Sequence, residues 1–183
     1  MTILHIDSSI TGETSASRRI SRAIVDRLVQ ADPAARVVRR DLASAPLTHL
    51  TLDAMADVSV LDEFLAADTI VIGAPMYNFT APTQLKSWID RIVVAGKTFR
   101  YTADGPVGLA GGRRVIIALV RGGFYDATSP AGPLEHLESY LRVVFGFIGI
   151  EPEFVVADGI NVSPEQRQQS LDNALAETVR LAA

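Results

Sequence analysis

Three short stretches of this chain carry residue types able to hold a ligand. The first runs from Ser9 through Thr11, Gly12, Thr14 and Ser15 to Ser17, and leads into Ile20, Ala23, Ile24 and Leu28 at helical spacing. Ser15 or Ser17 is therefore the expected helix N-cap. A helix N-terminus offers unpaired N–H groups and a positive dipole, worth about 0.3–2 kcal/mol to an anion, and hydroxyls complete a phosphate cradle without a lysine. Helix capping alone would account for the same hydroxyls. The second stretch, Met76, Tyr77, Asn78 and Phe79, sets two aromatic rings and an amide in one loop, a surface suited to a flat, partly apolar ligand. The third is Arg121, Gly122 and Gly123. Two adjacent glycines let backbone N–H groups approach a ligand closely, or simply form a tight turn.

Each stretch leaves an apolar run. Ile3–Ile6 precedes the first, Thr69–Gly73 the second and Val115–Val120 the third, all reading as strands, with Thr69–Gly73 buried on both faces. Arg36–Leu42 is less apolar and belongs nearer an edge, and Phe154–Ala157 gives a fifth strand. Between them lie helical patterns. Met55, Val58, Leu61 and Leu65 mark one helix within Thr51–Asp68, and Leu85, Trp88, Ile89, Ile92 and Val93 form the clearest stripe, starting near Pro82. Pro133 starts another, with Leu134, Leu137, Leu141, Val144 and Ile148 on one face. Ser163 caps the last, with Leu171, Ala174, Leu175 and Val179 inward. Residues 97–112, with turn signals at Asp104, Gly105 and Pro106, read as an irregular excursion.

Strands alternating with helices predict right-handed crossovers and an α/β, doubly wound parallel sheet, one domain over residues 1–183. In the order 2-1-3-4-5 the exits of strands one, three and four border the switch point where ligands bind. Those exits are the three stretches above. Hydroxyls at a helix N-terminus, an aromatic and amide wall, and a glycine pair together describe a phosphorylated planar heterocycle, and FMN fits that description.

Composition narrows the alternatives. With no cysteine among 183 residues there is no thiolate nucleophile, disulfide or cysteine-held metal, so redox chemistry requires a cofactor. A net charge of -4 with intermixed signs argues against a nucleic-acid surface. His5, His49 and His136 lack metal-ligand spacing, and Asp7, Asp41 and Asp62 form no visible acid–base pair. No metal is expected. The N-terminus enters a strand pattern directly, without a signal-like segment, and no run is long enough to span a membrane, so a cytoplasmic protein without membrane partners is expected.

The stretches PMYNF, PTQLKSWID, TFRYTADGPVGL, RGG and FGFIGI, in this order, closely resemble the FMN-dependent NADH:quinone oxidoreductases known as azoreductases. The resemblance runs nearly end to end. It implies a flavodoxin-like three-layer sandwich with helices on both faces, and a homodimer with FMN sites at its interface. It implies that NADH or NADPH reduces tightly bound FMN and leaves, after which a quinone or azo compound takes the electrons in a ping-pong cycle. By resemblance, phosphate and ribityl contacts fall on Ser9, Ser15, Ala16 and Ser17. Ring contacts fall on Met76, Tyr77, Asn78 and Phe79 and on Val120, Arg121, Gly122 and Gly123, while Tyr101 and Phe147 shape the substrate side. The family usually has a serine where Val120 stands, so one hydroxyl contact is missing, and residues 43–60 are shorter than is typical. A flavodoxin-like electron carrier serving a protein partner is the alternative. A carrier would show a strongly acidic face, which -4 over 183 residues does not supply.

Overall fold

The computed structural model describes residues 1–182. Five strands, β1 (Thr2–Asp7), β2 (Arg36–Asp41), β3 (Thr69–Pro75), β6 (Arg114–Val120) and β7 (Glu153–Ala157), form a wholly parallel sheet in the order β2-β1-β3-β6-β7. This is the expected 2-1-3-4-5 arrangement, with β6 and β7 as the fourth and fifth strands. The register aligns the strand ends: Asp7 lies opposite Asp41, Pro75 opposite Val120, and Val120 opposite Ala157. Every loop that leaves the sheet at this end therefore starts from the same edge.

Side-chain alternation along the strands builds two apolar layers. Leu4, Ile6, Ile70, Ile72, Ile117 and Leu119 pack on one face against α3 (Ser59–Leu65), α4 (Thr83–Ile92) and α5 (Glu138–Phe147), with Phe64, Trp88 and Phe145 filling the space. Ile3, Val71, Ile116, Ala118 and Val155 face α1 (Ala16–Ala31) and α6 (Pro164–Glu177) on the other, meeting Ile20, Ile24, Leu28 and Leu171. β3 is buried along its whole length, whereas β2 has no fully buried residue. Its edge position follows from that composition.

Four details differ from the sequence reading. Residues 97–112 are not irregular: β4 (Phe99–Thr102) and β5 (Gly105–Gly108) pair as an antiparallel hairpin, closed by the Thr102 hydroxyl donating to the Gly105 carbonyl at 2.7 Å. Four-residue strands are too short for alternation to be read from sequence. The helix expected within Thr51–Asp68 is broken into α2 (Leu52–Met55) and α3, because the Asp57 carboxylate accepts the Ser59 N–H at 3.0 Å and starts a new turn there; Met55 and Val58 are exposed. Pro133 lies in a 3-10 turn (Gly132–Leu134), and α5 begins only at Glu138, leaving Leu134 exposed. Val179 falls in a terminal 3-10 turn (Thr178–Ala182) and is exposed rather than inward.

The hairpin is seated by a backbone crossing. A Cβ on Gly108 would lie 2.2 Å from the Gly149 nitrogen, just past α5, and the Ala110 N–H donates to the Ile148 carbonyl at 2.9 Å. Only a residue without a side chain lets the two chains approach so closely.

Candidate functional site

The β1 exit is a chain of hydroxyls, buried at Ser8, Ser9, Ser15 and Ser17. Ser8 Oγ donates to the Gly73 carbonyl at 2.8 Å, fixing the loop to β3. Ser9 Oγ lies 3.0 Å from Thr11 Oγ1 and 3.2 Å from the Tyr77 hydroxyl, which also accepts the Ile10 N–H. After a 3-10 turn (Gly12–Thr14), Ser15 takes the N-cap position: its Oγ accepts the Arg18 N–H at 3.3 Å and lies 3.1 Å from Ser17 Oγ. The N–H groups of Ala16 and Ser17 stand in the first turn, where no intrahelical acceptor exists.

An arginine clamps this loop from behind. Arg18 donates to the Ser9 carbonyl from Nη2 at 2.8 Å and grips Asp41 with two bonds of 2.9 and 2.7 Å. The guanidinium hydrogen bonds hold the Asp41 carboxyl at about 2, below the usual carboxylate range, helped by the N–H groups of Ala43 and Ser44. Below the loop, His5 Nε2 meets Ser21 Oγ at 2.9 Å, and Ser21 donates to Asp7 at 3.0 Å. Burial pushes the His5 imidazole below its ordinary value, against the pull of the neighbouring Asp7 carboxylate.

The β3 exit turns sharply. Met76 N–H donates to the Val120 carbonyl at 2.7 Å, and Tyr77 and Thr80 exchange hydrogen bonds of 3.0 and 3.2 Å across a two-residue turn. Its central residues, Asn78 and Phe79, have φ of 48° and 73°. Asparagine tolerates the left-handed region; for a bulky residue it is a strained conformation. The turn is held from outside by the His136 N–H on the Phe79 carbonyl at 3.0 Å, and the half-exposed Phe79 ring meets Tyr125 edge-on at 6.4 Å.

At the β6 exit, the backbone of Arg121 is spent on β7 and its loop: its N–H donates to Ala157 and its carbonyl accepts from Ile160. Its buried guanidinium turns away from the β1 loop into three carboxylates, bidentate to Asp158 at 2.6 and 2.8 Å and within 3.7 Å of Glu135 and Glu138. Glu135 in turn accepts the N–H groups of Leu137, Glu138 and Ser139 and so caps α5. Gly122 and Gly123 give their carbonyls to the N–H groups of Asn161 and Gly159, while their own N–H groups donate to no described residue.

These exits enclose a cleft of about 210 Å³. Ser9, Ser15, Ala16 and Ser17 line one side, and Met76, Tyr77, Val120 and Gly122 line the other. Asn78, Phe79, Arg121 and Gly123 stand outside its lining, the first two on the rim turn after Tyr77. Tyr101 and Phe147 are apart from it: both pack on Phe99, at centroid distances of 5.5 and 4.6 Å, with Tyr101 74% exposed at the hairpin. Three lining residues, Ile160, Asn161 and Arg167, escaped the sequence reading; they follow β7, whose exit neighbours that of β6. A larger apolar hollow of about 410 Å³, between Leu50, Met55, Val58, Leu61, Val93 and Phe99, has no hydroxyl cradle and belongs to a different face.

Comparison with known proteins places the whole chain in a family and a fold. Residues 1–181 match the family model described as flavodoxin-like fold. An FMN-dependent NADH:quinone oxidoreductase 2 from Bradyrhizobium diazoefficiens is 56% identical over 100% of both chains. An azoreductase crystal structure from Bacillus anthracis superposes with a TM-score of 0.91 at 30% identity, covering 100% of this chain and 98% of that one. An FMN-dependent NADH-azoreductase from the same species, solved in complex with FMN, gives 0.85 at 25% identity, over 100% and 98% of the respective chains.

Proposed function

Since the chain belongs to the flavodoxin-like family of FMN-dependent NADH:quinone oxidoreductases, we propose that it holds FMN in the cleft between the β1, β3 and β6 exits and uses NADH to reduce quinones and to cleave azo compounds. The observation that supports this most is the convergence of buried hydroxyls, a helix N-terminus and the Met76–Tyr77 wall on one cleft at the carboxyl edge of the sheet.

The residues present fit that cofactor. Ser9, Ser15 and Ser17 and the first-turn N–H groups of α1 suit a phosphate and a polyol chain, and a Cβ at Gly122 would lie 2.8 Å from Asn161 Nδ2, filling the space between them. At about 210 Å³ the cleft is below the 300–1,000 Å³ usual for enclosing a whole ligand, so a planar ring would rest at the open rim against Met76, Tyr77 and Phe79.

Bound there, the flavin supplies hydride and electron transfer that no side chain of this chain can carry out. The protein's part is positional. The hydroxyls anchor one end, and Tyr77, tied through its own hydroxyl to Ser9 and Ile10, fixes the distance from anchor to wall. The unspent N–H groups of Gly122 and Gly123 are donors available to negative charge at the rim, and Val120 presents no hydroxyl there. Met76 and Phe79 exclude water. One open rim that admits NADH and the acceptor in turn gives a ping-pong cycle.

A second copy of the chain would complete the rim. The exposed apolar side chains Ile10, Phe79 and Phe124, and the Tyr101 hairpin with Phe147 behind it, are the surfaces such a homodimer would use. The reading places the protein in the cytoplasm. No helix among the described residues is long and apolar enough to cross a membrane.

The test is anaerobic stopped-flow absorbance in the flavin band. Mixing FMN-loaded protein with NADH should bleach the band, and a following quinone should restore it. Flavin that binds yet is bleached at no useful rate by NADH or NADPH would favour a carrier loaded by a protein reductase.

A further inference from the structure

We propose that Arg167 is a specificity-determining residue of the cleft, the cation that selects a phosphomonoester flavin over the same flavin without its phosphate; the inference rests on the FMN reading above. Arg167 lies on α6, far in sequence from the hydroxyl loop, yet its Nη2 donates to the Thr14 carbonyl at 2.9 Å, joining residues 153 positions apart. Among the described residues it is the one formally charged side chain lining the cleft.

Its pairing separates it from the other arginines near the site. Arg18 is gripped by Asp41 and Arg121 by Asp158, so both charges are compensated within the protein. Among the described residues no carboxylate pairs with Arg167. Of the five donors that a guanidinium carries, the protein engages one. The side chain is half-buried. Its base is fixed, because Ser163 caps α6 through the Gln166 N–H at 3.1 Å and Ser170 ties the helix to the Asp158 carbonyl at 2.6 Å.

The consequence is a charge count. The Ser9–Ser17 loop offers hydroxyls and N–H groups without a formal charge, and the helix dipole behind them favours an anion by only about 0.3–2 kcal/mol. A free guanidinium beside them favours a dianion, and a guanidinium–phosphate contact is charge-assisted on both sides. Riboflavin presents the same ring and polyol without that charge.

The experiment compares FMN and riboflavin binding to deflavinated full-length protein by quenching of flavin fluorescence, at low and high salt, for wild type, Arg167→Gln and Arg167→Lys. Arg167→Gln is expected to weaken FMN by about tenfold, leave riboflavin unchanged and flatten the salt dependence of FMN binding, while Arg167→Lys recovers most of the loss. Equal weakening of both flavins would mean that Arg167 only braces Thr14, and unchanged FMN binding would mean that it has no role; either overturns the proposal while the FMN reading stands. Wild-type protein that binds neither flavin would overturn the FMN reading, and this proposal with it. Far-ultraviolet circular dichroism of each variant establishes that the compared proteins are folded.

Discussion

The Asn78–Phe79 turn yields a prediction whose sign runs against the usual order of residues. At two-residue turns with both central φ angles positive the second position normally belongs to glycine, yet here Phe79 holds it at φ 73°. That conformation costs an L-residue about 1–2 kcal/mol. Glycine escapes this cost but gives back about 0.5–1 kcal/mol through the greater freedom of its unfolded chain. Phe79→Gly and Phe79→Ala remove the same ring, which is a little over half buried and contributes about 1 kcal/mol. The glycine variant should therefore be more stable than the alanine variant, by up to about 1.5 kcal/mol, where at ordinary positions alanine leads by about 0.5–1 kcal/mol. Equilibrium urea unfolding of the two variants beside wild type measures this directly. An alanine variant as stable as the glycine variant, or more so, would refute the strain argument. Quinone turnover supplies the second half: on the proposal that the Phe79 ring serves the rim, both variants should fall alike.

Two further outcomes follow from the geometry. Gly108→Ala would press a methyl group to 2.2 Å from the Gly149 nitrogen, where ordinary contact begins at 3.4 Å, and should destabilise by about 1–3 kcal/mol in the same unfolding assay. Asp41, depressed to about 2 from an ordinary 3.8, contributes its stability in full above about pH 4 and loses it as pH falls through about 2; acid titration of Asp41→Asn should lack that part of the unfolding curve.

The sheet was legible because strands buried on both faces must be written as largely apolar runs, and β1, broken only by His5, β3 and β6 are. The hydroxyl wall and the Met76–Tyr77 wall were legible for a related reason: each leaves such a strand, and the strand order brings them together. What the sequence hid were relationships across the fold. Nothing local marks Arg18 as the partner of Asp41, 23 residues on, or Arg167 as the neighbour of Thr14. Nothing local shows that the side chain of Arg121 is claimed by three carboxylates, two at the start of α5 and one at the β7 exit. Asn161 could have been anticipated from the sheet order alone, since the β7 exit adjoins that of β6. The break between α2 and α3 also had a local sign, an aspartate two residues before a serine-led apolar run, as did the late start of α5, where Glu135 supplies the cap.

The cleft collects residues from Ser9 to Arg167, delivered by four strands of one sheet, so those four strands cannot come apart without dismantling it. Cofactor binding and folding are thereby a single equilibrium. At free flavin one hundredfold above its dissociation constant, linkage adds about 2.7 kcal/mol, a large share of the roughly 5–15 kcal/mol on which a native protein subsists. In a cell short of flavin the same polypeptide would populate its unfolded state about a hundred times more often. Proteases that act on unfolded chains would then remove it in proportion, and the abundance of the enzyme would follow its cofactor supply without any transcriptional control.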